Sequence, residues 1–145
     1  MLPESDQRLF FLLQRAAHNL RMVADRRCLA VSGVTTAQLG ALFAVRDQPG
    51  LTQQDLARTL GLGQSAVTPL VARLTTAGLV TKSTHPEQHR AVALDLTAAG
   101  AAALHTAGPE IDRFNAEVRD LLGGNGFAEA AAALHKLAHW HPGNG

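Results

Sequence analysis

The sequence has few of the residues that mark several common protein classes. Its 145 residues include one cysteine, one tryptophan, five phenylalanines and no tyrosine. A single cysteine excludes a disulfide within the chain and is typical of a reducing compartment. The low aromatic content argues against a single-strand nucleic-acid binder that stacks bases on aromatic rings.

An excess of charge of one sign is also missing, because 13 Lys and Arg face 12 Asp and Glu, for a formal net charge of +1. Evidence for a nucleic-acid partner must therefore come from where the charges lie. The longest apolar run near the start, Leu9 to Leu13, is too short for a membrane span or a signal-peptide core. We predict a cytoplasmic protein without a membrane partner.

Signatures of catalysis are lacking too: the sequence has no glycine-rich phosphate loop, HExxH motif, nucleophile elbow or carboxylate pair in an apolar setting. We predict that the chain is not an enzyme and needs no cofactor. His135, His139 and His141 have a spacing that can hold zinc or nickel, as do His85 and His89. No cysteine or carboxylate completes the C-terminal set within the next turn, and DNA contact better explains the other pair, so no metal site is predicted.

The sequence is rich in alanine and leucine, and its apolar residues recur with helical periodicity. Its length suits one domain, residues 1–145. We expect a first helix from Asp6 to about Ala30 and a second one, capped by Thr35 or Thr36, that ends at Pro49. A third predicted helix is capped by Thr52. A fourth runs from Gln64 to about Ala77, with Gly78 as its C-terminal cap. A fifth follows Thr97 and extends to Leu122, and a sixth runs from Phe127 to about Trp140.

Between the fourth and fifth helices the periodicity becomes extended. Residues 79–82 and 90–96 are predicted to form two strands around a polar loop, 83–89. We also expect a kink at Gly108-Pro109, because the proline ring removes a helix hydrogen bond. The predicted fold is mainly α with a small β-hairpin wing.

The unit of helix, glycine turn, helix and hairpin from Leu51 to Leu96 is typical of a DNA-binding winged helix-turn-helix. At 100° per residue, one face of the fourth helix is apolar: Val67, Leu70, Val71 and Leu74. The opposite face is small and polar, with Thr68 and Arg73 at its flanks: Ser65, Pro69, Ala72 and Thr76. Such a face lets the backbone approach base edges.

The predicted hairpin loop concentrates positive charge in a chain that is otherwise balanced. Lys82, His85, His89 and Arg90 face a single acid, Glu87. A polar face on one amphipathic helix is equally well explained by solvent exposure, and this charged loop is what favours DNA binding.

These residues also resemble a family. The segments Leu51 to Ala57, Gln64 to Thr68, Val71 to Leu74 and Gly78 to Val80 resemble the MarR pattern of "LTxxeLA", "sxxT" and "lvxRLexxGlv". The wing end, from His89-Arg90 to Leu96-Thr97 and Gly100, resembles the family's "D-x-R … LT … G". The resemblance extends over nearly the whole chain, since long helices precede and follow these motifs.

The resemblance implies a homodimer in which the first, fifth and sixth helices pair, with residues 1–31 and 98–141 as dimerisation helices. Residues 35–97 would form the DNA-binding region, whose fourth helix enters the major groove and whose Arg90 enters the minor groove of a pseudo-palindromic operator. The implied function is that of a transcriptional repressor released by a small-molecule effector. The residues expected to contact DNA are Gln64, Ser65, Thr68, Pro69, Ala72, Arg73, Lys82, His89 and Arg90.

Two residues depart from the expected pattern. Gln88 replaces the wing aspartate that usually braces the arginine, and Pro69 stands inside the recognition helix, as it does in some other members. Together with the modest net charge, Gln88 supports the alternative of a winged-helix module that binds protein and not DNA.

The resemblance further implies an effector cleft where the first two helices meet the fifth, for which His18, Arg21 and Met22 are candidates, although ordinary core and surface roles explain each equally well. Cys28 raises the alternative of a redox sensor, since some members sense peroxide through an N-terminal cysteine. Arg26 and Arg27 can lower a thiol pKa, yet the tyrosines usual in such sensors are missing. A small buried side chain is the simpler explanation of Cys28.

Overall fold

The computed structural model describes residues 8–88 and 90–143, which form a mainly helical fold with one β-hairpin. The elements, in chain order, are α1 (Leu9–Ser32), α2 (Thr36–Asp47), α3 (Gln53–Leu60), α4 (Gln64–Thr76), β1 (Val80–Thr84), β2 (Val92–Leu96), α5 (Ala98–Leu122) and α6 (Gly124–Ala138). The predicted fold class is confirmed. The chain divides into two compact units, Met1–Glu110 and Ile111–Gly145.

Threonines fix the starts of two helices in the first unit. The Thr35 hydroxyl accepts from the Gln38 amide at 3.2 Å while the Gln38 side chain accepts from the Thr35 amide at 2.8 Å, a reciprocal capping box. The Thr52 hydroxyl accepts from the Asp55 amide at 3.0 Å, as predicted. These caps settle the choice between Thr35 and Thr36 in favour of Thr35.

Glycine ends α4 as the sequence predicted. Gly78 has φ +73°, in the left-handed region, and the Leu79 amide donates to the Leu74 carbonyl at 2.9 Å. The chain therefore passes directly from α4 into β1.

The wing is a two-stranded antiparallel hairpin in which Val80 pairs with Leu96 and Thr84 pairs with Val92. The predicted strand ends were wrong by about two residues, because the chain turns later. The His85 amide donates to the Ala91 carbonyl at 3.0 Å, and residues 86–88 and 90 lie in the turn between them. Arg90 therefore belongs to the turn and not to a strand.

The segment before α3 anchors the wing to the helix-turn-helix. The Gly50 amide donates to the Leu94 carbonyl, and the Leu94 amide donates to the Leu51 carbonyl, both at 2.9 Å. Leu94 is fully buried. Because a short hairpin needs a neighbour to pack on, this pairing supplies part of its support.

The core of the first unit consists of branched aliphatic side chains from α2, α3, α4 and β2. Seven of the largest are under 2% exposed: Leu42, Val45, Leu56, Val67, Val71, Leu74 and Leu94. Where α5 begins, a Cβ on Gly100 would collide with the Leu79 carbonyl oxygen. Only glycine permits this approach of α5 to the start of β1.

The second unit, Ile111–Gly145, contains the C-terminal part of α5 and all of α6. Gly123, at φ +77°, is the single residue between these helices, so α6 starts at Gly124 and not at Phe127 as predicted, and it ends at Ala138. Arg119 lies over the Phe127 ring at 4.6 Å. No residue of α6 is buried.

Helix α5 runs through Gly108-Pro109 as one continuous helical segment.

In the described part of the chain, no individual helix has the length and apolarity for a membrane crossing. The consecutive helices α1 and α2 meet those criteria only when taken together, with a bend of 70° between them.

Candidate nucleic-acid interface

Helix α4 has the two faces that its sequence predicted. Its apolar face is almost completely buried, with Val67, Leu70, Val71 and Leu74 at 0–5% exposure. The outward residues are exposed: Gln64, Ser65, Thr68, Pro69, Ala72, Arg73 and Thr76. The buried face holds α4 against α2 and α3, which leaves a surface of small, polar and cationic side chains open to a ligand.

A side-chain hydrogen bond crosses between the two helices of the helix-turn-helix. The Gln53 amide nitrogen, Nε2, on the first residue of α3 donates to Thr68 Oγ1 on α4 at 3.1 Å. Thr68 is one of the predicted contact residues, and it therefore has a polar partner on the neighbouring helix.

The wing contributes two of its three predicted contact residues to the described surface. Lys82 on β1 and Arg90 in the turn are both exposed. His89 lies outside the described residues.

The turn that precedes Arg90 is organised by a histidine. His85 Nδ1 accepts from the backbone amides of Glu87 at 3.2 Å and Gln88 at 3.1 Å. Of the ion pairs between described residues, none involves Arg90. At position 88 an amide stands where the resembled family has the bracing carboxylate.

A groove of about 600 Å³ lies between the start of α3, the start of α4 and the wing turn. Its lining residues are Thr52, Gln53, Gln54, Gln64, Gln88, Arg90, Ala91 and Val92. Arg90 is the one charged residue in that set, and the remaining polar groups are amides and a hydroxyl. This chemistry suits an anionic or hydrogen-bonding ligand.

The groove brings together Gln64 and Arg90, which the sequence singled out from separate motifs. It also contains Gln53 and Gln54, which sequence reasoning did not select. Their signal was available, because two consecutive glutamines in the first turn of an amphipathic helix contribute nothing to its apolar face.

Cys28 has surroundings opposite to those of a reactive cysteine. Its side chain is buried, at 3% exposure. Burial, Glu110 and Asp25, in that order, raise the pKa of the Cys28 thiol. Because the thiolate is the reactive species, these surroundings disfavour the redox-sensor alternative.

The candidate effector residues His18, Arg21 and Met22 are exposed along α1. In the part of the chain that the structure describes, no group of three or more histidine, cysteine or carboxylate side chains is placed to hold a metal ion. The His139 ring instead hydrogen bonds through Nδ1 to the His135 carbonyl at 2.9 Å.

Comparison with known proteins gives a family match over the region that contains most of this interface. Residues 32–91 match the MarR family. A protein of Thauera aromatica, described as a transcriptional regulatory protein for the hcr operon, is 32% identical over 79 residues. Those residues are 54% of this chain and 48% of that protein, so the match spans about half the length of this relative.

Solved structures extend the likeness to nearly the whole chain. The PcaV transcriptional regulator of Streptomyces coelicolor, in complex with its natural ligand, is 26% identical with a TM-score of 0.78, covering 95% of this chain and 97% of PcaV. MepR of S. aureus, in a complex with DNA, is 21% identical with a TM-score of 0.80, covering 95% and 98%. The winged-helix architecture is therefore shared over α1 to α6.

Proposed function

We propose that the chain, whose residues 32–91 match the MarR family, is a winged helix-turn-helix regulator of this family that binds double-stranded DNA sequence-specifically as a homodimer and regulates transcription. The observation that carries this proposal is the outer face of α4, which is exposed, free of carboxylates and bordered by Arg73. A helix of this kind fits the major groove, where its side chains read base edges.

Arg90 has a different role in the proposal. It stands on the wing, across the groove from the starts of α3 and α4. We assign Arg90 to the minor groove or the adjacent phosphates, where a cation strengthens binding to all sequences alike. Lys82 and His89 would add contacts from the same wing.

The homodimer is supported by the apolar surface at both ends of the chain. Large hydrophobic side chains on α1 and around α6 are 42–68% exposed: Leu9, Phe10, Phe11, Leu134, Leu137 and Trp140. Large apolar side chains exposed together on one helix are typical of an interaction surface. A symmetric pair of chains would place two recognition helices about 34 Å apart, which calls for a pseudo-palindromic operator.

Repression relieved by a small molecule is the finer part of the proposal. The small-molecule ligand is supported by PcaV, a transcriptional regulator that was solved with its natural ligand and is 26% identical. His18, Arg21 and Met22 remain the candidates for contacts with such an effector. The proposal assigns the chain no catalytic role.

The experiment combines selection of bound duplexes from random DNA with two substitutions. Arg90→Ala is expected to weaken binding to all sequences and to reduce the slope of log K against log salt by about 1. Arg73→Ala is expected to relax sequence preference or to weaken binding to the selected site. Arg46→Ala, which removes an exposed arginine paired with Asp47 on α2, is the matched control and should leave both properties unchanged.

Failure to select any sequence at low salt would overturn DNA binding and favour a module that binds protein. Normal binding by both the Arg73 and Arg90 variants would retain DNA binding but refute this assignment of roles.

A further inference from the structure

We propose that Gln53 is a positioning residue for base recognition, which occupies one acceptor position of the Thr68 hydroxyl and thereby favours its role as a hydrogen-bond donor towards DNA. The inference rests on the proposed function, since it assumes that the outer face of α4 reads the major groove. Gln53 itself was not among the residues that the sequence selected for DNA contact.

The polarity of the hydrogen bond decides which positions on the Thr68 hydroxyl remain open. Gln53 Nε2 donates to Thr68 Oγ1 at 3.1 Å. A hydroxyl has one proton and two acceptor positions. Because the bond from Gln53 uses one acceptor position, the proton and a single acceptor position remain available to another partner.

Thr68 is exposed on α4, at the flank of the outer face and one turn before the exposed Ala72. Its hydroxyl therefore lies at the edge of the surface that faces DNA in the proposed complex, where its proton is available to an acceptor on a base edge.

A contribution to folding stability does not explain the hydrogen bond between Gln53 and Thr68. Its two side chains lie at the surface, whereas the contact between α3 and α4 is already maintained by buried residues such as Leu56 and Val67. A solvent-accessible hydrogen bond between neutral groups contributes little net stability. The acceptor position that Gln53 occupies on Thr68 is the property with consequences for binding.

The acceptor positions left on Thr68 affect which bases it can contact. In the major groove, guanine N7 and O6, adenine N7 and thymine O4 accept hydrogen bonds, whereas cytosine presents its N4 amino group as a donor. With one of its two acceptor positions occupied by Gln53, Thr68 accepts from cytosine less readily than a free hydroxyl does, which disfavours cytosine at the base that it contacts. Without Gln53, both lone pairs are open to the cytosine amino group and the discrimination weakens.

The test measures, for each variant, the ratio of affinities for the selected duplex and for the same duplex with cytosine at the affected position. Gln53→Met removes the donor at similar size, and we expect the ratio to fall by about twofold to threefold, less than the value of one net hydrogen bond because one acceptor position is open in both proteins. Gln53→Lys keeps a donor and should retain the ratio, even if its charge raises affinity for every duplex.

Two further variants separate the action of Gln53 from a general effect on the groove. Gln54→Met removes the neighbouring amide from the same groove and should leave the ratio unchanged. Thr68→Val removes the hydroxyl, and adding Gln53→Met to it should change the ratio no further. Thermal unfolding of each variant checks that the fold is retained.

Three results would overturn the inference: an unchanged ratio in Gln53→Met, an equal loss in Gln54→Met, or uniform weakening on all duplexes, which would place the Thr68 contact on a phosphate. Loss of discrimination in Gln53→Lys would also contradict it. If the unaltered chain selects no duplex, the proposed function fails first and this inference fails with it, so the two failures are distinguishable.

Discussion

The winged-helix region, residues 35–97, and the last helix, α6, differ in what happens to their apolar side chains. In the first, large aliphatic residues such as Leu42 and Leu56 are completely buried. In the second, Leu134 and Leu137 are 49% and 42% exposed, and no residue is buried. Both segments have helical periodicity, so periodicity alone does not distinguish them.

The difference separates two kinds of apolar face. The winged-helix region buries its apolar residues within its own unit and exposes polar ones, as a folded scaffold that presents a binding face does. The apolar face of α6 stays open among the described residues, which is how a helix that associates with a second chain is expected to look. The predictions below test this difference, from the largest expected effect to the smallest.

The largest effect is expected from a cavity at the centre of the helix-turn-helix. Leu56→Ala should lower the free energy of unfolding by about 2–5 kcal/mol, because Leu56 is fully buried and its neighbours can close the space only in part. Urea denaturation measures the change. Leu62→Ala, at a residue 37% exposed, is the control and should cost much less; equal losses would mean that the core is elsewhere.

A charge on α6 should act on association and spare the fold. Leu134→Asp is expected to convert the proposed dimer to a monomer in sedimentation and to weaken operator binding by about a hundredfold, as two linked half-site contacts become independent. Helicity by circular dichroism should stay near that of the unaltered chain.

Asn125→Asp adds the same charge to the first turn of α6 and serves as the control. If both variants stay dimeric, or if Leu134→Asp unfolds the chain, the exposed face of α6 is not the interface.

An intermediate effect is expected where α5 begins. Gly100→Ala should destabilise by about 1–3 kcal/mol, because the added methyl group collides with the Leu79 carbonyl and the wing or the helix must shift. Gly108→Ala lies in the same helix with open space around it, so it should be neutral or stabilising by up to about 1 kcal/mol. Thermal unfolding compares the two, and similar changes would refute the close approach.

The smallest effect concerns Cys28 in alkaline solution. Burial and two nearby carboxylates raise the pKa of its thiol, so the unfolded chain loses this proton at a lower pH than the folded chain. The stabilising contribution is therefore complete below the unfolded pKa of about 8.5 and is lost as pH rises through the folded pKa.

Cys28→Ala should consequently make stability fall less steeply above that pH, by at most about 1.4 kcal/mol per pH unit, the slope for one proton. Urea denaturation from pH 7 to 10 measures this slope. Identical slopes in the two proteins, or rapid alkylation of the native thiol at pH 7, would contradict the described surroundings of Cys28.

Much of the fold was predictable because its signals are local. The Thr52 cap, the Gly78 stop and the apolar stripe on α4 depend on neighbours within four residues, and all three are confirmed. The ends of the wing strands and the start of α6 were predicted wrongly. The ends of the wing strands depend on hydrogen bonds around His85. At the start of α6, a run of glycines concealed that only Gly123 breaks the helix.

The candidate site divides in the same way. The outward residues of α4 follow from periodicity, but the hydrogen bond from Gln53 to Thr68 joins residues 15 positions apart, and no local pattern predicts it. The contact of each of these residues with DNA remains a prediction.

The central claim is that two chains bind one duplex through their α4 helices. The most direct measurement is the mass of the complex with a selected duplex, by sedimentation, together with the protected base pairs. We predict two chains per duplex and two protected half-sites one helical turn apart. A complex of one chain with a single site, or no duplex retained at low salt, would contradict the account.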